Sequence, residues 1–176
     1  GIPNPATSNF TIETWVYSTN TGGVRSIIRR TGFYNLYING GNLSAELWPS
    51  GTTAWNVYNT TAAIPVNQWT HIAMTWDGVT LMLYVNGTSA PYSSGAGTVG
   101  GTENFNIGSS TIYGQPFVGN MDEVRIWNTA RTKLEIQNNM NLPLVGNEAG
   151  FVGLLHFDDA SGTIAADSAA IGGNNS

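Results

Sequence analysis

Phe117 to Gln137 reads FVGNMDEVRIWNTARTKLEIQ, and the order of residue types within it decides the fold. From Met121 to Trp127 the residues alternate, Val124 and Ile126 pointing one way and Glu123, Arg125 and Trp127 the other. A period of two marks a strand with side chains on opposite faces of the pleat. Asn128-Thr129 then stops the strand and can cap a short helix over Ala130 to Asn138, where Leu134 and Ile136 supply a small apolar side. A lone short helix late in the chain is a cap on a β structure, not a layer of its own.

Working outward, Asn9 to Tyr17 (NFTIETWVY) alternates with apolar residues on both faces and reads as a central, covered strand. Val24 to Arg30 is a second strand. Phe33 to Ile38 and Leu43 to Trp48 flank Asn39-Gly40-Gly41-Asn42, residues that tolerate the positive φ of a hairpin turn. Ala54 to Asn59 is a weaker strand. Gln68 to Val85 (QWTHIAMTWDGVTLMLYV) holds two strands around Asp77-Gly78, with Ile72, Met74 and Trp76 on one face and Leu81, Leu83 and Val85 on one face of the next. Asn86-Gly87 turns into Thr88 to Tyr92, giving a meander. Ser93 to Gly101 reads as a Gly/Ser-rich loop, Asn104 to Gly108 as a short strand, Ser109 to Pro116 as a polar loop and Phe151 to Phe157 as the last strand. Strands at this density predict an all-β, two-layer antiparallel jelly-roll sandwich with one short helix. The domain is expected over residues 1–160, and 161–176 as a Gly/Ala/Asn-rich tail or linker, or the start of a following repeat.

Composition removes several function classes. The 176 residues carry a net charge of −5 with only six Lys and Arg, too few for a phosphate track, so nucleic acid is not expected as a partner. With no cysteine, thiolate metal sites, disulfides and cysteine nucleophiles are ruled out. No apolar run approaches the roughly 20 residues of a membrane-spanning helix. The abrupt start at Gly1-Ile2-Pro3-Asn4-Pro5 suggests a segment of something longer.

FTIETWVY, QWTHIAMTWDGVTLMLYVNG and GNMDEVRIWNTARTKLEI, in that order, resemble the laminin G-like jelly rolls of the concanavalin A-like lectin and glucanase superfamily, in its bacterial, pentraxin-like branch. The resemblance runs from about residue 8 to about residue 160 and rests on the three motifs together. It implies a non-catalytic module that binds glycans or mediates adhesion within a larger secreted or cell-surface protein, with calcium as a common companion. Two departures stand out. The loop Ser109 to Gln115 lacks the carboxylates of a pentraxin calcium site. The chain also starts at the turn that usually follows such a domain's opening strand, while GLLHFDDASGTIAADSAAIGGNN resembles what ordinarily precedes the next module's opening strand. A sandwich short of an edge strand could accept one from another copy or repeat, so the alternative is a structural subunit joined by β-strand complementation.

Candidate site residues follow from chemistry. A retaining glycosidase needs two carboxylates about 5–5.5 Å apart facing one cleft. Asp122-Glu123 and Asp158-Asp159 are adjacent, which sends their side chains to opposite faces, so no enzyme is expected. Glu13 and Arg125 lie on the tryptophan side of their strands and are expected to pair. His71 and His156 have no second ligand at zinc spacing. Asp158, Asp167 and Asn174, with Asp122, are the oxygen donors expected for calcium. Trp48, Trp55, Tyr58 and Tyr113 sit at strand ends or loops and are the aromatic faces expected to meet sugar, whereas Trp15, Trp76 and Trp127 are assigned to the core.

Overall fold

A computed structural model describes residues 9–30, 32–48, 55–97, 105–109 and 114–157, without the side chains of residue 55 and residues 93–97. Twelve strands are present among them: β1 (Phe10–Ser18), β2 (Val24–Arg30), β3 (Tyr34–Asn39), β4 (Asn42–Leu47), β5 (Trp55–Ala63), β6 (Trp69–Trp76), β7 (Leu81–Val85), β8 (Thr88–Ala90), β9 (Tyr92–Gly97), β10 (Phe105–Ile107), β11 (Gly119–Trp127) and β12 (Phe151–Leu155). The helix α1 (Lys133–Asn139) lies between β11 and β12. The strands form two six-stranded antiparallel sheets, ordered β12-β11-β1-β6-β7-β8 and β10-β2-β3-β4-β5-β9. This is the predicted two-layer sandwich.

The alternation read from the sequence sorts the side chains. Ile12 and Val16 of β1, Ile72 and Met74 of β6, Leu83 of β7 and Val124 of β11 point inward and meet Leu36, Ile38, Leu43 and Leu47 of the facing sheet, all fully buried. Burial of each such side chain is worth roughly 1.5–3 kcal/mol, so this inner layer holds the sheets together. Trp76 belongs to it as expected, and Trp127 packs in a small separate cluster with Leu144, Phe151 and Leu154.

Three local expectations are corrected. Residues 93–97 are not loop: β9 pairs with β5, Trp55 through Thr60, and a run of Ser, Gly and Ala disguises it because strand membership there comes from the ladder and not from side chains. The helix starts at Lys133, because Thr132 and Glu135 form a capping box in which the Thr132 hydroxyl accepts from the Glu135 N–H and the Glu135 carboxylate accepts from the Thr132 N–H at 2.7 Å. Only Ile136 of the helix is buried; Leu134 is 65% exposed.

Asp122 and Glu123, expected on opposite faces, are brought together by a β-bulge. Glu13 pairs with Arg125 but Trp15 pairs with Asp122, so two residues of β11 stand opposite Thr14 alone. Glu123 takes the extra step at φ +50°, and the alternation of β11 breaks there. The strand begins equally tightly. A Cβ on Gly119 (φ +146°) would sit 2.0 Å from the Tyr17 carbonyl oxygen, so only glycine fits.

Candidate functional site

The outer face of the β11-β1-β6 region carries Thr11, Glu13, Trp15 and Tyr17 from β1, Trp69 and His71 from β6, and Glu123, Arg125 and Trp127 from β11. The helix and the segment after it cover one half of this face and leave the other open.

In the covered half Glu13 is fully buried. Its Oε1 accepts the Trp127 indole N–H at 3.0 Å and lies 3.7 Å from Nη1 of Arg131, whose guanidinium stacks 3.8 Å over the Trp127 ring. The other oxygen, Oε2, lies 3.5 Å from His71 Nε2. Burial raises the Glu13 pKa, against the pull of Arg131, Arg125 and the Trp127 N–H. Burial likewise depresses His71, to about 3, so the imidazole is neutral. The expected Glu13–Arg125 ion pair is therefore corrected. The two residues are cross-strand neighbours, yet the closest cation to Glu13 is Arg131, and Arg125 reaches the other way.

Arg125 builds the wall of the open half. Its Nε and Nη2 donate to Glu123 Oε2 at 3.0 and 2.8 Å, Nη1 donates to the Asn139 carbonyl at 2.9 Å and Nη2 to the Leu142 carbonyl at 2.6 Å. Trp15 adds a third tie, its indole N–H donating to the Met140 carbonyl at 2.9 Å. Three carbonyls at and just past the helix end are thus bound by two side chains of the sheet, the Asn139 carbonyl also accepting from the Leu142 N–H at 3.0 Å. The other Glu123 oxygen meets His156 Nδ1.

A cleft of about 410 Å³ opens beside this wall, lined by Trp15, Trp69, Asp122, Glu123, Arg125 and the segment 140–143. A second, of about 550 Å³, shares Trp69 and Asp122 with it and continues over Ile107, Phe117, Met121 and Phe157. Trp69 is 42% exposed and leans on Tyr17 with ring centroids 5.7 Å apart. Phe157, 40% exposed, sits at the mouth of the second cleft at φ +57°. Non-glycine residues in that backbone region concentrate where a site over-determines them.

The residues singled out from sequence fall differently. Tyr58, expected at an exposed position, is 6% exposed inside the core and packs edge-on against Tyr92 with centroids 4.8 Å apart. Trp48 follows β4 on the other sheet, and Trp55 opens β5 there, its side chain outside the described residues. Tyr113, Asp158, Asp167 and Asn174 also lie outside the described residues. Asp122 lines both clefts. Asp122 is the one member of the expected calcium set among the described residues, and no group of three or more His, Cys, Asp or Glu among them could hold a metal ion. Trp69, and Trp15, which the sequence assigns to the core, line the first cleft although neither is among the sequence's candidate site residues. The alternation that puts Trp15 beside Glu13 was legible; where the covering segment ends was not.

Residues 2–137 match the model of a family described as the concanavalin A-like lectin/glucanases superfamily. The chain belongs to that superfamily. None of the curated proteins matches it. Among solved structures, this superfamily member is similar to a Bacteroides ovatus protein whose carbohydrate binding is itself inferred, with TM-score 0.72 and 25% identity over 92% of this chain. It spans 49% of that protein, about half its length. The CBM40 of a Ruminococcus gnavus IT-sialidase, bound to α2,3-sialyllactose, superposes at TM-score 0.62 with 16% identity over 76% of this chain and 83% of that one. Domain 4 of an extracellular arabinanase from Geobacillus stearothermophilus, in complex with arabinotriose, does so at TM-score 0.55 with 22% identity over 77% and 69%. Likeness at these last identities is one of fold.

Proposed function

We propose that the chain is a non-catalytic glycan-binding module of a larger secreted or cell-surface protein, and that it holds sugar in the cleft between Trp15 and Trp69. One observation carries this reading. Two indole side chains, one fixed by its N–H on the Met140 carbonyl and one 42% exposed, line an open cleft beside the Asp122 carboxylate and the Asn141 amide. Apolar ring faces next to hydrogen-bonding groups at the edge are what a sugar, apolar on its C–H faces and polar at its rim, requires. The structurally similar modules that carry sialyllactose and arabinotriose support the reading at the level of fold.

Catalysis is not part of it. The bulge does bring Asp122 and Glu123 to one cleft, but both Glu123 oxygens are engaged, Oε2 by Arg125 and Oε1 by His156. A carboxylate committed to holding an arginine is poorly placed to shuttle protons.

The test is a glycan array followed by calorimetric titration with the best neutral hit. Trp69→Ala is expected to weaken binding about tenfold or more, with stability changed by less than about 1 kcal/mol because the ring is largely at the surface. Undiminished binding by this variant would remove the cleft from consideration. A rival platform lies on the other sheet, where Trp48 follows the row in which Asn35 donates to Glu46 at 3.3 Å and Arg29 stands 3.7 Å from Glu46. Loss of binding in Trp48→Ala instead would move the site there, with Trp55 and Tyr113 as its candidate neighbours. Calcium held by Asp158, Asp167 and Asn174, with Asp122, enters as a separate proposal: no heat on calcium addition, and equal sugar binding with a chelator, would dismiss it.

A further inference from the structure

The charge lining the clefts says which glycans they can take. This step rests on the glycan-binding reading. Among the described residues, Asp122, Glu123 and Arg125 are the only charged ones that line either cleft, and Asp122 lines both. Arg125 is the sole cation among them, and it is spoken for. Four of the five N–H groups that a guanidinium carries go to Glu123 and to the Asn139 and Leu142 carbonyls, and the residue is only 2% exposed. Its charge is offset by Glu123 at 2.8 Å. What the cleft presents to a ligand is therefore the Asp122 carboxylate, backbone carbonyls and an amide, on a chain of net charge −5. The carboxylate and carbonyls accept from the hydroxyls of a sugar, and the Asn141 amide both accepts and donates. A ligand carboxylate would find no arginine or lysine to replace its lost hydration and would stand against a like charge.

We infer that the cleft selects uncharged glycans and rejects those whose bound residue carries a carboxylate, such as sialic or uronic acids, and that Asp122 is the residue that enforces the choice. Discrimination here is built from repulsion more than from attraction.

The experiment uses the 176-residue chain on an array of matched pairs, the same oligosaccharide with and without a terminal sialic or uronic acid. In 0.05 M NaCl the neutral member of a pair is expected to bind at least about fivefold more tightly, a ratio that shrinks toward about twofold in 0.5 M NaCl as screening tightens. Asp122→Asn, which keeps an acceptor oxygen for the Glu123 N–H, is expected to narrow the ratio at low salt by about threefold. Equal binding, or preference for the acidic member, overturns the inference and leaves glycan binding standing. Rejection of acidic sugars that neither salt nor Asp122→Asn alters would be steric, and overturns it too. If no member of any pair binds, the glycan-binding reading falls and takes this one with it. Should Asp122→Asn fail to fold, the salt dependence of the unaltered chain decides alone.

Discussion

Two halves of one sheet face differ by a single step along each of three strands. Glu13 gives way to Trp15 on β1, His71 to Trp69 on β6, and Trp127 to Arg125 and Glu123 on β11. Behind the step, under α1, polar groups are sealed in: Glu13 Oε2, both His71 ring nitrogens and Arg131 Nη1 are buried without a hydrogen-bond partner among the described residues. Ahead of it, the same strands face an open cleft, and the polar groups there tie down a loop or line the opening. Sealed polar groups without full satisfaction are costly and sensitive to change. Groups at an open cleft can turn to water, so losing one costs less in stability and more in binding. On the proposed glycan-binding reading, the face thus separates the work of holding the fold from the work of meeting a ligand.

The sharpest way to break that division is Glu13→Ala. It strands the Arg131 guanidinium and the Trp127 N–H beneath the helix, and removal of one member of a buried charged set costs about 3–5 kcal/mol. The urea midpoint should fall accordingly, while the molecules that remain folded should bind glycan within about twofold of the unaltered chain. A loss under about 1 kcal/mol would show that the covered half is not the stabilising one.

Next in size is the response to acid. The folded-state pKa of His71 lies at about 3, well below its ordinary 6.5. An unfolded chain takes a proton on this residue below pH 6.5 and the folded one refuses it, so the stability that neutral His71 contributes is complete above 6.5 and drains away as pH falls toward 3. The slope is at most about 1.4 kcal/mol per pH unit. Glu13 runs the other way. Its raised pKa makes the folded state hold a proton that the unfolded state releases, so its contribution is present at low pH and is lost as pH rises above the ordinary carboxylate range. His71→Gln separates the two: relative to the unaltered chain it should gain roughly 2 kcal/mol between pH 6.5 and 4.5 in denaturation curves. Parallel curves would mean that His71 is not sealed from solvent.

How far the sequence foretells this division depends on what each feature is made of. Val124 and Ile126 against Glu123, Arg125 and Trp127 is a side-chain pattern, and it survives intact in the core and outer face. The bulge at Glu123 is a backbone event at a residue type with no left-handed preference, so nothing in Asp122-Glu123 announces that both will face one cleft. The cleft wall is equally silent. It is held by Asn139, Met140 and Leu142 carbonyls, which every residue possesses, and its donors, Trp15 and Arg125, are residues whose sequence context fits a core ring and a cross-strand ion pair just as well. The Thr132-x-x-Glu135 box is the opposite case, a legible signal that places the helix start three residues later than Asn128-Thr129 alone suggests.

The smallest expected effect tests the seam between the halves. Trp15 stands edge-on to His71, ring centroids 5.3 Å apart, with its N–H on the Met140 carbonyl, so it touches the sealed side with one edge and the cleft with the rest. Trp15→Phe keeps an aromatic face and removes the donor. The freed carbonyl borders an open cleft and can take water, so the stability loss should stay near the net value of one hydrogen bond, about 0.5–1.5 kcal/mol. Sugar binding should weaken severalfold, because the wall at 140–143 then hangs from Arg125 alone. Titration and urea denaturation on the same preparation decide it. A stability loss above about 3 kcal/mol with unchanged binding would assign Trp15 to the sealed half, and move the boundary of the site out to Trp69.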